Sequence, residues 1–350
     1  MLGRADRRKS AAAIVALQAL GGCAGGPDDR EIGVAEGRLD ASAWVVADVG
    51  DFNADGLDDV LWDDTGQSHM AVWLMSGTQV LFPGAPIPGP DPDVEWSAAW
   101  AADFDADGMN DARWYNYATN ESAIWLMDAT KLRLAGPTFA GPVGAGWTRV
   151  TSTDFSRDGM ADLLWRDALN GDAEVWLMSS THPRLKGPRI PAPAGDGWVA
   201  ATTGDFNGDG MRDIVWYNPL TGSFSIALMA ATARLVQGPV IPAPAGPGVW
   251  GPVSAADFNG DGMADILWYN ATTQRMAVWL IHGTALLTPG PEIPAPPGAG
   301  WIATHTGDFN GDGAADVIWE NPFTHRFSVW LMAGTSLRVA GPELPGPGGP

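Results

Sequence analysis

The acidic segment Asp51-Phe52-Asn53-Ala54-Asp55-Gly56-Leu57-Asp58-Asp59 returns five more times, beginning at Asp103, Asp154, Asp205, Asp257 and Asp308. The spacings are 52, 51, 51, 52 and 51 residues. A period of this size marks a propeller or a solenoid rather than a string of unrelated domains. Tryptophan keeps the same register. Trp44, Trp96, Trp147, Trp198, Trp250 and Trp301 each stand seven residues before a loop. Trp62, Trp114, Trp165, Trp216, Trp268 and Trp319 stand eleven residues after its start. Trp73, Trp125, Trp176, Trp279 and Trp330 follow at twenty-two, where the fourth unit has Ala227. Of the 18 tryptophans only Trp100 falls outside this register.

Each unit divides into four short strands, A to D. In the fifth, strand A runs from Trp250 to Ala256 into the acidic loop, and strand B is Ile266-Leu267-Trp268. Asn270-Ala271-Thr272-Thr273 turns the chain into strand C, Met276 to Ile281, and strand D lies within Leu286 to Ile293. Strands B and C are apolar at successive positions, which calls for burial on both faces, as blades stacked face to face provide. Strand D carries Gly-Pro and Ile-Pro pairs such as Gly187-Pro188-Arg189-Ile190-Pro191. Proline cannot donate to a ladder, so D belongs at the outer edge, where it blocks pairing with other chains. The sixth unit starts at Trp301 and the sequence given ends at Pro350. The expectation is an all-β, six-bladed β-propeller of four antiparallel strands per blade, with the acidic loop between A and B. Its blades are 44–95, 96–146, 147–197, 198–249, 250–300 and 301–350. A solenoid is the alternative, disfavoured because its end repeats should differ from the middle ones.

Charge narrows the partners. The formal net charge is −21, from 41 acidic and 20 basic residues. Such a surface repels nucleic-acid phosphates and anionic lipid, so neither is expected as a partner. The acids fall in clusters, and clustered carboxylates call for a cation. Positions 1, 3, 5 and 9 of each loop supply side-chain oxygens, the glycine at position 6 permits the bend, and the carbonyl of position 7 can add a ligand. Calcium takes six to eight such oxygens. No sulfur or imidazole is present in the loops to favour zinc. An EF-hand is excluded, because position 12 is tryptophan where that motif needs a bidentate glutamate.

Asp205-Phe206-Asn207-Gly208-Asp209-Gly210-Met211-Arg212-Asp213-Ile214-Val215-Trp216, with an Ala-Val-Trp-Leu-type strand following in most units, resembles the FG-GAP/VCBS repeat of bacterial surface proteins. It is also similar to the calcium-binding blades of integrin alpha-subunit propellers, although the literal Phe-Gly and Gly-Ala-Pro signatures of those blades do not recur. The resemblance implies about six calcium ions, one per loop. The first would be held by Asp51, Asn53, Asp55, the Leu57 carbonyl and Asp59; the second by Asp103, Asp105, Asp107, Met109 and Asp111. The third would use Asp154, Ser156, Asp158, Met160 and Asp162, with Ser156 and the adjacent Arg157 making it the weakest. The fourth would use Asp205, Asn207, Asp209, Met211 and Asp213; the fifth Asp257, Asn259, Asp261, Met263 and Asp265; the sixth Asp308, Asn310, Asp312, Ala314 and Asp316.

Residues 1–22 read as an export signal. Arg4, Arg7, Arg8 and Lys9 precede the largely apolar run Ala11 to Leu20, which is too short to span a bilayer. Leu20-Gly21-Gly22-Cys23 resembles the lipobox of bacterial lipoproteins, which implies cleavage before Cys23, acylation of that residue, and a cell-envelope location reached through a lipid anchor. Residues 23–43 read as a tether. Cys23 is the only cysteine, so no intrachain disulfide can form.

No sequence signature of a hydrolase, a metalloprotease or a phosphate-binding loop is present. Registered tryptophans pack blades, so a ligand is expected where the repeat breaks. Three positions before each loop stand Asp48, Trp100, Thr151, Thr202, Ser254 and His305, a variable and mostly polar set suited to a central channel. Trp100, Arg149 and His305 are the candidate ligand residues. Arg113 replaces an aliphatic residue and calls for a carboxylate partner if buried. The expected role is a monomeric recognition module for a glycan or protein. A structural envelope component and a polysaccharide-active enzyme are the alternatives.

Overall fold

A computed structural model describes residues 44–347, apart from 65, 92–95 and 145. The export signal, Cys23 and the tether lie outside the described residues. Six antiparallel sheets follow one another along the chain, and each is built from consecutive strands in the order A-B-C-D. In the fifth blade A is Trp250–Ala256, B Asp265–Asn270, C Arg275–His282 and D Ala285–Pro289. A two-residue segment, Ile293–Pro294, then returns to pair with C. Blades one, four and six repeat this plan, whereas blades two and three carry one longer D strand, Lys131–Ala140 and His182–Ile190.

Local chemistry explains each turn. The asparagine closing strand B accepts from the backbone ahead of it: Asn270 Oδ1 from Thr272 N at 3.0 Å and Thr273 N at 3.1 Å. Asn116, Asn218 and Asn321 do the same, an Asx turn that starts each B–C hairpin. The position-6 glycines of the acidic loops all have positive φ, between 80° at Gly313 and 86° at Gly108, the left-handed backbone that glycine adopts without strain. Every strand A is bulged at one register, between Val46 and Asp48 in the first blade and between Ala98 and Trp100 in the second.

Strand B is buried at every position in five blades, which meets the two-faced burial its sequence requires. The hydrophobic core is six clusters, one at each seam between neighbouring blades. One joins Phe52, Leu61 and Met70 to Trp96 and Trp114; the last joins Phe309, Ile318 and Phe327 of blade six to Trp44, Val46 and Trp62 of blade one. The ring therefore closes, and a solenoid is excluded.

Among the described residues no strand is exchanged at the closure. Blade six meets blade one through the contacts that join every other pair. A Cβ added to one glycine at the outer edge of each blade, followed by proline in all but the first, would press on a threonine of the next blade: Gly84 on Thr130, Gly136 on Thr181, Gly187 on Thr232, Gly238 on Thr284, Gly290 on Thr335 and, across the closure, Gly341 on Thr78.

Candidate metal centres

All six acidic loops lie at one end of the ring, each held by its own carboxylates. The position-1 aspartate accepts from the position-6 glycine N in every loop, at 2.8 Å for Asp51 and Gly56 and 2.7 Å for Asp205 and Gly210. The position-5 aspartate accepts from the N–H of position 7, namely Leu57, Met109, Met160, Met211, Met263 and Ala314. The position-9 aspartate ties the loop to the sheet. Asp59 accepts from Phe52 N at 3.1 Å and from Met75 N of strand C at 2.8 Å. Asp111, Asp162, Asp213, Asp265 and Asp316 are bound in the same way.

Burial pushes these six position-9 carboxyls up to about 7. The neighbouring loop carboxylates push the same way, and the two backbone N–H groups work against them. A cation among the oxygens would reverse that balance.

The donor set fits a hard cation. In the second loop, carboxylate oxygens of Asp103, Asp105 and Asp111 lie within 4.8 Å of one another. Asp105 Oδ1 and Ser156 Oγ, the position-3 oxygens of loops two and three, are buried without a hydrogen-bond partner. In every loop a positively polarised N–H group reaches the carboxylates. Asn53, Asn207 and Asn259 each donate a side-chain N–H to the position-5 aspartate, at 3.0, 2.9 and 3.0 Å. Asn310 donates to Asp316 at 3.0 Å. In the remaining loops the donor is an arginine from strand D: Arg133 reaches Asp105, and Asp107 at 2.9 Å, while Arg184 reaches Asp158 at 2.8 Å. Arg338 also reaches Asp312 at 2.9 Å.

Those arginines stand thirty residues after their loops begin, where blades one, four and five have Leu81, Leu235 and Leu287. The sequence reading missed them, although the register alone gives the contrast. Neighbouring loops are also linked. Position 8 of one loop donates its N–H to the position-1 carbonyl of the preceding loop, as Asn110 does to Asp51 and Ala161 to Asp103, both at 2.6 Å.

The other candidates divide. Trp100 and Arg149 come together at the seam between blades two and three, with the Arg149 guanidinium 4.5 Å from the Trp100 ring. His305 is not with them. It sits at the seam between blades six and one, where burial lowers its pKa to about 4 against a hydrogen bond to the Ala47 backbone. Arg113 is buried as expected, but the carboxylate partner is wrong. Its guanidinium bonds to Ser122 Oγ at 3.1 Å and Ser152 Oγ at 3.4 Å, between the rings of Trp100 and Trp165. Ala227 is fully buried against the third blade, and Trp216 beside it lacks the indole partner found on the B-strand tryptophans of the other blades.

Three overlapping windows, residues 154–216, 205–268 and 257–319, match the FG-GAP-like repeat family. Each runs from one acidic loop to the B-strand tryptophan of the next blade. Among solved structures the fold is similar to a chain of the Photorhabdus luminescens Tc holotoxin pore, with a TM-score of 0.52 and 18% identity over 85% of this chain. This chain spans 14% of that one. It is also similar to a protein from Lactobacillus plantarum, with a TM-score of 0.53 and 15% identity, covering 86% of this chain and 85% of that one. Identities this low concern the fold. No curated protein matches the sequence.

Proposed function

Because the chain carries FG-GAP-like repeats on a closed ring of six blades, we propose that it is a calcium-stabilised recognition module. The observation that carries the calcium reading is the same in all six loops: a preorganised set of carboxylates that draws in whatever N–H donor is within reach. In each loop the side chains of positions 1, 3, 5 and 9 would hold the ion, and the carbonyl of position 7 would complete its shell. The metal would supply charge neutralisation and rigidity. Two carboxylates about 5 Å apart repel by roughly 3 kcal/mol at an effective dielectric of about 20.

Calcium modules outside the cell have dissociation constants near roughly 0.1–1 mM. With free calcium about tenfold above that, each site adds roughly 1.4 kcal/mol to folding. Six such sites contribute about 8 kcal/mol, comparable to the whole stability of an ordinary domain. The linked loops support a structural role, since each backbone bond between them crosses a seam.

FG-GAP propellers are common protein- and ligand-binding modules, and recognition of a glycan or protein is the role we assign to the ring. Export and anchoring through an acylated Cys23 would place it on the cell envelope. Calorimetric titration of residues 24–350 with calcium, alongside a melt in EDTA, tests the metal reading. Uptake near six ions with a large rise in melting temperature is expected. An EDTA melt identical to the calcium melt overturns it.

A further inference from the structure

Six near-identical units make every departure from the repeat visible, and the departures gather at one seam. Arg113 stands where the other blades have Leu61, Leu164, Val215, Leu267 and Ile318. Ser122 stands where they have Met70, Ala173, Phe224, Met276 and Phe327. Trp100 is the one tryptophan out of register, and Tyr117 and Arg149 have no counterpart in the other units. All five side chains meet between blades two and three.

Arg113 is fully buried, and the charged form of a buried group is costly without a counter-ion. Its neighbours are two serine hydroxyls and two indole rings, at 5.0 Å for Trp100 and 4.8 Å for Trp165. Trp100 in turn lies 4.5 Å from the guanidinium of Arg149, which also faces Tyr115 at 4.6 Å and Tyr117 at 4.2 Å. Arg149 donates to the Tyr117 hydroxyl, and its Nε is buried with no hydrogen-bond partner. The carboxylate that acts on it electrostatically, Asp63, is occupied by Ser97 Oγ at 2.6 Å and Ala98 N at 2.8 Å.

Among the described residues neither Arg113 nor Arg149 forms an ion pair, and they differ from the other unpaired arginines, such as Arg212 and Arg326, in being stacked on aromatic rings. Arg113 is sealed inside, so in a chain with 41 acidic residues it is the half-buried Arg149 that stands at the seam as a stacked guanidinium without an anion.

We propose that this seam binds a sugar bearing a single carboxylate, with Arg149 as the anion donor and Tyr117 as the platform for the ring. A guanidinium has five donors in a fork that matches a carboxylate, and here the tyrosine takes one of them. Tyr117 is 46% exposed with the guanidinium stacked over one face of its ring, so the exposed part of the ring adjoins a cationic group. That is the complement of a uronate, whose C–H face stacks while its carboxylate projects outward. The formal charge of −21 repels an acidic polymer, so one carboxylate on an otherwise neutral sugar is favoured over a polyanion. Arg113 is a positioning residue: it holds Trp100 against Arg149 and does not itself reach the ligand.

This assignment rests on reading the ring as a recognition module and names its ligand class. The test is titration of the calcium-loaded full ring with glucuronate, glucose and acetate, read by calorimetry and tryptophan fluorescence. Glucuronate is expected to saturate, with glucose and acetate each binding at least about tenfold more weakly because each supplies half of the contacts. Arg149→Gln should weaken glucuronate by about tenfold to hundredfold at an unchanged melting temperature. Arg113→Leu should raise the melting temperature yet weaken glucuronate and shift the fluorescence; a merely structural Arg113 would lower the melt and leave binding alone.

Equal binding of glucose and glucuronate, or no effect of Arg149→Gln, overturns the site. An acidic peptide that binds where glucuronate fails overturns the sugar assignment. Glycan binding that survives Arg149→Gln places recognition elsewhere on the ring and leaves the module reading standing. Silence toward every glycan and protein tried defeats both.

Discussion

Asp58 and Asp308, 250 residues apart, are joined by two hydrogen bonds: Asp58 N donates to the Asp308 carbonyl at 2.8 Å, and Asp308 N donates to Asp58 Oδ2 at 2.7 Å. The first bond is the one that links other neighbouring loops. The second belongs to the closing seam, where the position-8 residue is an aspartate, and it adds a side-chain clasp where the first and last blades meet.

Asp58→Ala removes that clasp and leaves a backbone donor unpaired. The expected cost is about 1–3 kcal/mol, measured by urea unfolding in calcium. Ala161, Ala264 and Ala315 occupy the same position at three other seams, so the variant ring should still assemble. An unchanged midpoint would show that the clasp contributes nothing.

Gly341→Ala strikes the same seam from its outer edge. Its Cβ would lie 2.2 Å from the Val329 carbonyl oxygen and 2.9 Å from Thr78 Cβ. A carbonyl inside a ladder cannot yield, so a loss of about 1–3 kcal/mol is expected in the same experiment. Adding Thr78→Ala should recover only part of it, because the carbonyl remains.

Loops two, three and six have arginine on position 5 and loops one, four and five have leucine at that place, so calcium should bind in two classes. These ion pairs are largely exposed and worth about 0.2–1 kcal/mol each, which converts to calcium binding weaker by about up to fivefold. Changing Arg133, Arg184 and Arg338 to leucine together should merge the classes in a calorimetric titration. A wild-type isotherm already of one class would show that these arginines do not compete with calcium.

Glu320 gives the closing seam a pH dependence. It is buried, with Oε1 accepting from Val46 N at 3.1 Å and Oε2 without a partner. Burial raises its pKa from 4.5 to about 8, against that single hydrogen bond. The folded ring therefore holds a proton that the unfolded chain releases above its ordinary carboxyl range. The favourable contribution is complete below 4.5 and is lost as pH rises to about 8. Glu320→Gln should make the fall in melting temperature across that window shallower by the share of one group, the buried aspartates raised to about 7 supplying the rest. A slope identical to that of the wild type would assign the effect wholly to those groups.

The ring was legible because its evidence is periodic. Trp62, Trp114 and their counterparts sit at fixed offsets, and a side chain needed at every seam must recur once per blade. The loop carboxylates were legible for the same reason. Arg113 was visible as an exception, but its surroundings were not, because Ser122 and Ser152 lie on other strands and only pairing brings them near. Partners drawn from strand D, such as Arg133, depend on how far the sheet folds back over the loop, which no local pattern encodes. His305 shared a register position with Trp100 but not a neighbourhood, since the ring places their two seams apart.

A ring that closes without trading a strand leaves its own size open. Each blade brings its four strands and both halves of a seam in one uninterrupted stretch, so gaining or losing a 51-residue copy rewires no sheet. Duplication could lengthen such a gene one blade at a time, and only the angle between neighbouring sheets would then decide at which number the circle shuts.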